Sequence, residues 1–144
     1  MLYSKTAKYA VIALSEIARH RPVGEPVATR GIAESGGIPY ALLAKIIVQL
    51  RRAGLVTALR GKQGGVSLAR PPERITIRDV VEAIDGNSLF EDCPLYLEPC
   101  QCRRECSLHP LWKPARDAVV SFLEQSTIAD VAEARGDLTA LPDE

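Results

Sequence analysis

Two helical segments joined by a glycine pair at positions 36–37 are the feature that most constrains the fold of this chain. Residues 29–35 form the first segment, with Thr29 as its candidate N-cap, and the glycine pair ends it. The second segment starts at Pro39, a residue suited to the first position of a helix, and runs to about residue 52. Two helices joined by a short turn that contains glycine predict a helix-turn-helix.

A basic, glycine-rich hairpin follows this helix pair. Two short β-type runs, residues 55–59 and 66–69, flank the segment R-G-K-Q-G-G at 60–65. A hairpin directly after a helix-turn-helix predicts a winged helix, in which glycines let the backbone approach DNA phosphates and Arg60 and Lys62 enter or flank a minor groove. The alternative is an ordinary tight hairpin with solvated charges. A phosphate-binding P-loop is excluded, because the pattern G-x-x-x-x-G-K-S/T is not met.

Three other segments have helical periodicity. Lys5–His20 places its apolar residues at a period near 3.6. Residues 76–85 begin with Thr76 and Asp79 in capping-box spacing. Residues 110–125 form a long, strongly amphipathic segment. The fold class predicted from these patterns is mainly α, a winged helix-turn-helix with additions at its C-terminal side.

The long segment at 110–125 predicts a dimer. A winged helix already has its own core, so an extra apolar helix needs a partner, and the simplest partner is its copy in a second subunit. Trp112, the one tryptophan, is predicted to pack there. The predicted organisation is a DNA-binding domain at 1–85, a cysteine-rich cluster-binding loop at 86–109, a dimerisation helix with a short terminal helix at 110–134, and a flexible tail at 135–144.

Charge is distributed unevenly along the chain, although the net charge is zero. Residues 1–74 contain 12 Lys and Arg against 4 Asp and Glu, a net charge of +8. Residues 75–144 contain 6 against 14, a net charge of −8. A basic half that coincides with the helix-turn-helix is typical of a protein that binds a polyanion such as DNA.

All four cysteines, and one of the two histidines, lie within the seventeen residues 93–109. Packing alone does not concentrate cysteines in this way. Thiolates and an imidazole at short spacing predict a site for a soft or borderline metal, or for an iron–sulfur cluster. The alternatives are structural zinc on three cysteines and one histidine, a redox switch made of thiols alone, and an iron–sulfur electron carrier or assembly protein.

Composition narrows the class of protein. Apolar residues make up 47% of the chain, which supports a packed core and argues against disorder. No run of about 18 apolar residues is present, so we expect no transmembrane helix and a cytoplasmic location, where thiols stay reduced. The chain has no Ser-His-Asp set, no paired-carboxylate site and no dinucleotide fingerprint, so we expect it not to be an enzyme.

Taken in order, these motifs resemble the bacterial winged-helix regulators typified by IscR and NsrR. The resemblance covers roughly residues 1–134, and its most specific parts are the A-G-L-V and R-G-x-x-G-G elements of the wing and the cysteine segment. It implies a homodimeric transcription regulator that carries an iron–sulfur cluster in each subunit and binds palindromic promoter DNA. The signal expected from it is iron–sulfur status, redox state or nitric oxide.

The resemblance also implies a set of cluster ligands. The matching positions in this sequence are Cys93, Cys100, Cys106 and His109. A histidine as the fourth ligand implies a 2Fe–2S cluster; in the NsrR-like branch an acidic residue ligates a 4Fe–4S cluster, and Lys8 stands at that place here. The first gap between cysteines is one residue longer than in the IscR-like pattern. Cys102 is an extra thiol, interpreted as a bystander or a redox spare, with replacement of His109 as ligand as the alternative.

Residues predicted to contact DNA come from three parts of the sequence. Lys45, near the start of the second helix of the helix-turn-helix, is predicted to contact a guanine edge, and Tyr40 to contact the backbone or a thymine methyl. Cations of the first helix and of the wing are predicted to contact phosphates. The full set is Lys5, Lys8, Thr29, Tyr40, Ala41, Lys45, Arg51, Arg60, Lys62 and Gln63.

Overall fold

The computed structural model describes residues 2–20, 22–91, 93 and 106–139. Within these ranges the chain is mainly helical, with one small sheet and a 3₁₀ turn at Pro72–Arg74. The helices are α1 (Lys5–His20), α2 (Thr29–Gly36), α3 (Tyr40–Arg52), α4 (Ile77–Asp85), α5 (Ser88–Glu91), α6 (His109–Gln125) and α7 (Ile128–Thr139). The strands are β1 (Val56–Leu59) and β2 (Gly65–Leu68), paired antiparallel. The predicted fold class, a mainly α winged helix, is confirmed.

Helix α1 is central to the core and packs against α2, α3, α4 and α7. Three of its buried positions are alanines, Ala7, Ala10 and Ala13, and small side chains let neighbouring helices approach closely. Leu14 and Ile17 fill the space between these contacts and are almost completely buried. The helical period predicted for Lys5–His20 therefore gives the bounds of α1 and its inward face correctly.

Helices α2 and α3 form the helix-turn-helix, bent by 115° at their junction. Gly37 has a φ of 63°, a left-handed conformation that suits glycine, and its N–H donates to the Glu34 carbonyl at 3.3 Å. Two predictions of detail were wrong by one residue. The N-cap of α2 is Ala28, so Thr29 is the first helical residue and not the cap; Pro39 precedes the first helical residue of α3.

The wing sheet is held to the helix-turn-helix by Val27. Its N–H donates to the Val66 carbonyl and its carbonyl accepts from the Val66 N–H, both at 2.8 Å. This close pairing requires glycine at position 65, where a Cβ would lie 2.2 Å from the Val27 oxygen. A Cβ at Gly64 would lie 2.1 Å from the Leu59 oxygen. The two glycines therefore fix the hairpin against the segment that leads into α2.

Helix α4 starts with the predicted capping box. The Thr76 hydroxyl accepts from the Asp79 N–H at 3.0 Å, and Asp79 accepts from the Thr76 N–H at 3.0 Å. Beside this cap, the chain between α6 and α7 pairs with the segment before α4. Ile77 N–H donates to the Ser126 carbonyl at 2.9 Å, and Ile128 N–H donates to the Ile75 carbonyl at 2.8 Å. The end of α6 is thus joined to the winged helix of its own chain.

Helix α6 has two apolar faces. One contacts the core of its own chain through buried Leu123 and half-buried Val119. The other is exposed, with Leu111 at 74% and Phe122 at 50% exposure. Helix α7 continues to Thr139, beyond residue 134, where the predicted terminal helix ended. Helix α5 was not predicted, since its segment was assigned to the cysteine-rich loop.

No single helix in the described part of the chain has both the length and the apolar character needed to cross a membrane. Only α2 and α3 taken together, bent at their turn, meet that criterion.

Candidate functional site

A groove of about 400 Å³ separates the helix-turn-helix from the wing. Four cations line it: Arg30, Arg51, Arg60 and Lys62. Thr29 and Tyr40 also line the groove, and none of its described lining residues is acidic. Of the predicted DNA contacts, five therefore meet in one place, although they come from α2, α3 and the hairpin. Positive charge converging on a groove is the electrostatic arrangement that attracts phosphates.

Arg30 is a residue of this groove that the sequence analysis missed. Its guanidinium lies over the ring of Tyr40, 5.4 Å from the centroid, and Tyr40 is 52% exposed. Arginine over an aromatic face is held by a cation–π interaction. The only signal in the sequence was a basic residue at the start of α2 and a tyrosine at the start of α3. No helical or strand period relates those two positions, so the contact depends on the bend between the helices.

The outer face of α3 is a continuous exposed stripe. It contains Tyr40, Ala41, Ala44, Lys45 and Val48, which are one and three residues apart in alternation. The inner face contains Leu43, Ile46 and Leu50, each buried. Lys45 lies on that outer stripe, outside the lining of the groove, and its side chain is exposed. A residue that reads base edges needs to be exposed in this way.

The remaining predicted contacts are exposed but do not line the groove. Gln63 is at the tip of the hairpin, between Lys62 and the two close-packed glycines. Lys5 and Lys8 are on the first turns of α1, and the Lys5 ammonium lies 5.7 Å from the centroid of the Tyr9 ring. These lysines lie outside the lining of the groove.

The start of α1 is bonded to the end of α4. The Ser4 hydroxyl accepts from the Ala7 N–H at 3.0 Å and donates to Asp85 at 2.5 Å. The Ser4 N–H donates to the other carboxylate oxygen of Asp85 at 2.9 Å. Asp85 is the last residue of α4, shortly before the cysteine segment. The helix that carries Lys5 and Lys8 is therefore attached where that segment begins.

Cys93 and Cys106 are half-buried, and His109 is the half-buried first residue of α6. The His109 N–H donates to the Cys106 carbonyl at 3.1 Å. The N-cap of α6 is Leu108, and His109 is its first helical residue. Cys100 and Cys102 lie outside the described residues, and the described part of the chain brings no three His, Cys, Asp or Glu side chains together as a metal site. Two thiols and an imidazole match the ligand chemistry of iron–sulfur clusters and of zinc.

Glu16 is a buried carboxylate that joins three helices. Arg135 of α7 donates to its Oε1 from Nη2 at 2.9 Å and from Nε at 3.3 Å. Arg19 donates to the same oxygen at 3.2 Å, and His20 Nε2 lies 3.3 Å from Oε2. Burial by itself raises the pKa of Glu16, but hydrogen bonds from Arg135 and Ser35 hold that pKa below its ordinary value. Through this carboxylate, α7 is attached to α1 and to α2.

Comparison with known proteins places this arrangement in a family. A family model described as iron-dependent transcriptional regulator, Rrf2, matches residues 3–134. The chain belongs to the Rrf2 family. The chain is therefore a DNA-binding transcriptional regulator, and the prediction that it is not an enzyme is confirmed.

Individual members of the Rrf2 family resemble the chain over most of its length. The transcriptional repressor NsrR of Streptomyces coelicolor is 33% identical over 134 residues, covering 93% of this chain and 90% of that protein. The structure of CymR, the global cysteine regulator of B. subtilis, matches with a TM-score of 0.74 at 29% identity, covering 91% of this chain and 95% of that one. The structure of T. potens IscR matches with a TM-score of 0.72 at 27% identity, covering 98% of this chain and 92% of that one.

Proposed function

We propose that this Rrf2-family regulator acts as a homodimer that binds a palindromic operator and reports iron–sulfur status, redox state or nitric oxide through an iron–sulfur cluster. The observation that carries the proposal is the groove in which four cations from two helices and the wing converge without a described acidic neighbour. An electron carrier or assembly protein, the alternative from another class, has no use for that groove or for the exposed stripe of α3.

DNA recognition is divided between the two surfaces. The exposed stripe of α3 enters the major groove, with Lys45 as the base-reading cation. The groove cations Arg30, Arg51 and Lys62 take the phosphates on either side. Exposed lysines at the start of α1 add a further phosphate contact.

The exposed face of α6 supports the proposed homodimer. Leu111, Ala115, Ala118 and Phe122 are all exposed and are spaced by four, three and four residues. This spacing places them on one side of a helix, in the pattern by which two helices pack together. A copy of the same helix, related by a two-fold axis, buries such a stripe and gives two recognition helices for the two halves of a palindrome.

The cluster is proposed on Cys93, Cys100, Cys106 and His109. When bound, it supplies an iron centre that changes with redox state or with nitric oxide, and that change is the signal. A 2Fe–2S cluster is favoured, since Lys8 is an exposed cation and cannot serve as the acidic ligand of the NsrR-like branch. This assignment also gives the proposed division of the chain. Its first two parts are a DNA-binding domain at 1–85 and a cluster-binding loop at 86–109.

Two experiments test the proposal. Anaerobically purified protein should contain iron and acid-labile sulfide; colourless protein with stoichiometric zinc, even after reconstitution, contradicts the cluster. Operator DNA titrated with the holo protein, and with the same protein after nitric oxide, should give affinities at least tenfold apart, about 1.4 kcal/mol of coupling. Identical curves on every genomic target would show that the cluster is structural and not a sensor.

The dimer is tested separately by sedimentation of the Leu111→Glu variant. A charge in the exposed stripe should convert the dimer to monomer. Glutamate at Lys113, an exposed residue outside the stripe, is the matched control and should leave the dimer intact.

A further inference from the structure

The indole N–H of Trp112 is buried and has no hydrogen-bond partner among the described residues. The side chain as a whole is only half-buried, so the polar atom is on its covered side. Burying a donor without an acceptor costs folding free energy, and such groups are therefore uncommon in folded proteins. An apolar ring without a donor would fill the same space without that cost. The donor thus points to an acceptor that the described protein atoms do not supply.

The position of Trp112 indicates where that acceptor lies. Trp112 is in the first turn of α6, three residues after His109, and residues at this spacing are neighbours on a helix surface. Side chains of a helix lean towards its N-terminus. We therefore expect the indole to lean back towards His109 and towards Cys106, whose carbonyl accepts the His109 N–H at 3.1 Å. The backbone here is regular, with the Trp112 N–H donating to Leu108 at 2.8 Å.

We propose that the Trp112 indole N–H donates a hydrogen bond to a sulfur atom of the iron–sulfur cluster, either a ligand thiolate or a sulfide. This inference rests on the proposed cluster and makes Trp112 a positioning residue, since it acts on the sulfur and does not ligate iron. Hydrogen bonds to cluster sulfurs are among the factors that set the reduction potential. A donor favours the reduced cluster, because reduction adds negative charge to the sulfurs. Removing the donor therefore lowers the potential.

The Trp112→Phe variant tests the effect on potential. Phenylalanine keeps an aromatic ring and loses the N–H. The variant should bind the same amount of iron and sulfide as the wild type, but at a fixed solution potential its ratio of oxidised to reduced cluster should rise about tenfold, which is 59 mV for a one-electron couple. Tyr40→Phe is the matched control: it removes an aromatic donor from the exposed start of α3 and should leave the potential unchanged.

The wild-type protein provides a second measurement that no substitution can disturb. Because Trp112 is the chain's one tryptophan, feeding ¹⁵N-indole-labelled tryptophan labels a single nitrogen. Pulsed electron paramagnetic resonance of the reduced cluster should then show coupling to that nitrogen and to a proton that exchanges in D₂O.

The outcomes separate the two proposals. Wild-type protein without iron and sulfide after anaerobic reconstitution overturns the proposed function. A cluster that assembles normally, shows no coupling to the labelled nitrogen and keeps its potential in Trp112→Phe overturns the hydrogen bond alone. If the Trp112→Phe variant loses the cluster, the labelled wild-type protein decides the question. Absence of coupling between the cluster and the labelled nitrogen then overturns the hydrogen bond.

Discussion

Two groups of cations in this molecule are used in opposite ways. Around Glu16, the cations Arg19 and Arg135 share one buried carboxylate, and Arg135 joins α7 to α1, a helix distant in sequence. In the groove beside the wing, Arg30 and Lys62 belong to a set of four cations with no acidic residue among its described lining. A cation compensated inside the protein therefore stabilises the fold, while one left uncompensated at a surface is available to a phosphate.

Removing the buried carboxylate should give the largest effect on stability. Glu16→Ala should lower the free energy of unfolding by about 2–3 kcal/mol, because the hydrogen bonds to Arg135 and Arg19 are lost and a buried space opens. The cost stays below that of a fully buried pair, since the Arg135 side chain is 27% exposed. Chemical denaturation gives the value, and Glu133→Ala, an exposed carboxylate of α7, is the control expected to change it by less than about 0.5 kcal/mol. A similar loss in both variants would refute the distinction.

Stability should also depend on pH through Glu16. Its pKa is lower in the folded protein than its ordinary value of 4.5, so the carboxylate contributes stability above that ordinary value. The contribution is lost as pH falls through the lower folded value, where the carboxylate takes up a proton. The difference in unfolding free energy between wild type and Glu16→Gln should therefore be full near pH 7 and shrink below pH 4.5. A difference that is constant with pH would mean that Glu16 acts through packing alone.

Of two substitutions that should weaken DNA binding, Lys45→Ala and Lys62→Ala, we expect Lys45→Ala to have the larger effect. We expect specific binding to weaken by about 1–3 kcal/mol and the preference at one base position to relax, because an exposed cation on the outer stripe of α3 is lost. Unfolding free energy should stay the same. Binding to a set of operators mutated one base pair at a time measures this, and an equal loss on every sequence would show that Lys45 contacts only phosphate.

Lys62→Ala should have a smaller and uniform effect. Loss of one groove cation should weaken binding to all sequences alike, by about 1 kcal/mol, and reduce the slope of log affinity against log salt by about one. Salt titrations on specific and random DNA check both numbers. A change of sequence preference in this variant would place Lys62 at a base edge and remove the contrast with Lys45.

Local signals predicted most of the fold. The capping box of Thr76 and Asp79, the glycine turn of the helix-turn-helix and the apolar period of α1 each involve residues within a few positions of one another. Contacts over long separations were not predicted: Glu16 meets Arg135 across 119 residues, and Ser4 meets Asp85 across 81. Neither pair has a sequence period, because each depends on how whole helices pack.

For the candidate site too, residues marked by local motifs were predicted and residues placed by packing were not. The groove cations were predicted from the wing motif and from helix positions, whereas Arg30 was missed because its place depends on the bend between α2 and α3. For the cysteine segment, the structure describes Cys93, Cys106 and His109, and the ligand set remains a prediction. Trp112 was assigned only a packing role from sequence, since its covered N–H is visible only once α6 is packed.

The wing also bears on how operator affinity can be changed by substitution. A side chain at Gly65 would collide with the Val27 carbonyl, and one at Gly64 with the Leu59 carbonyl, so substitution at either position displaces the hairpin. Lys62 and Gln63, next to them, are exposed at the tip and carry no such steric demand. A randomised library for altered DNA affinity should therefore vary these two codons and leave the glycine codons untouched.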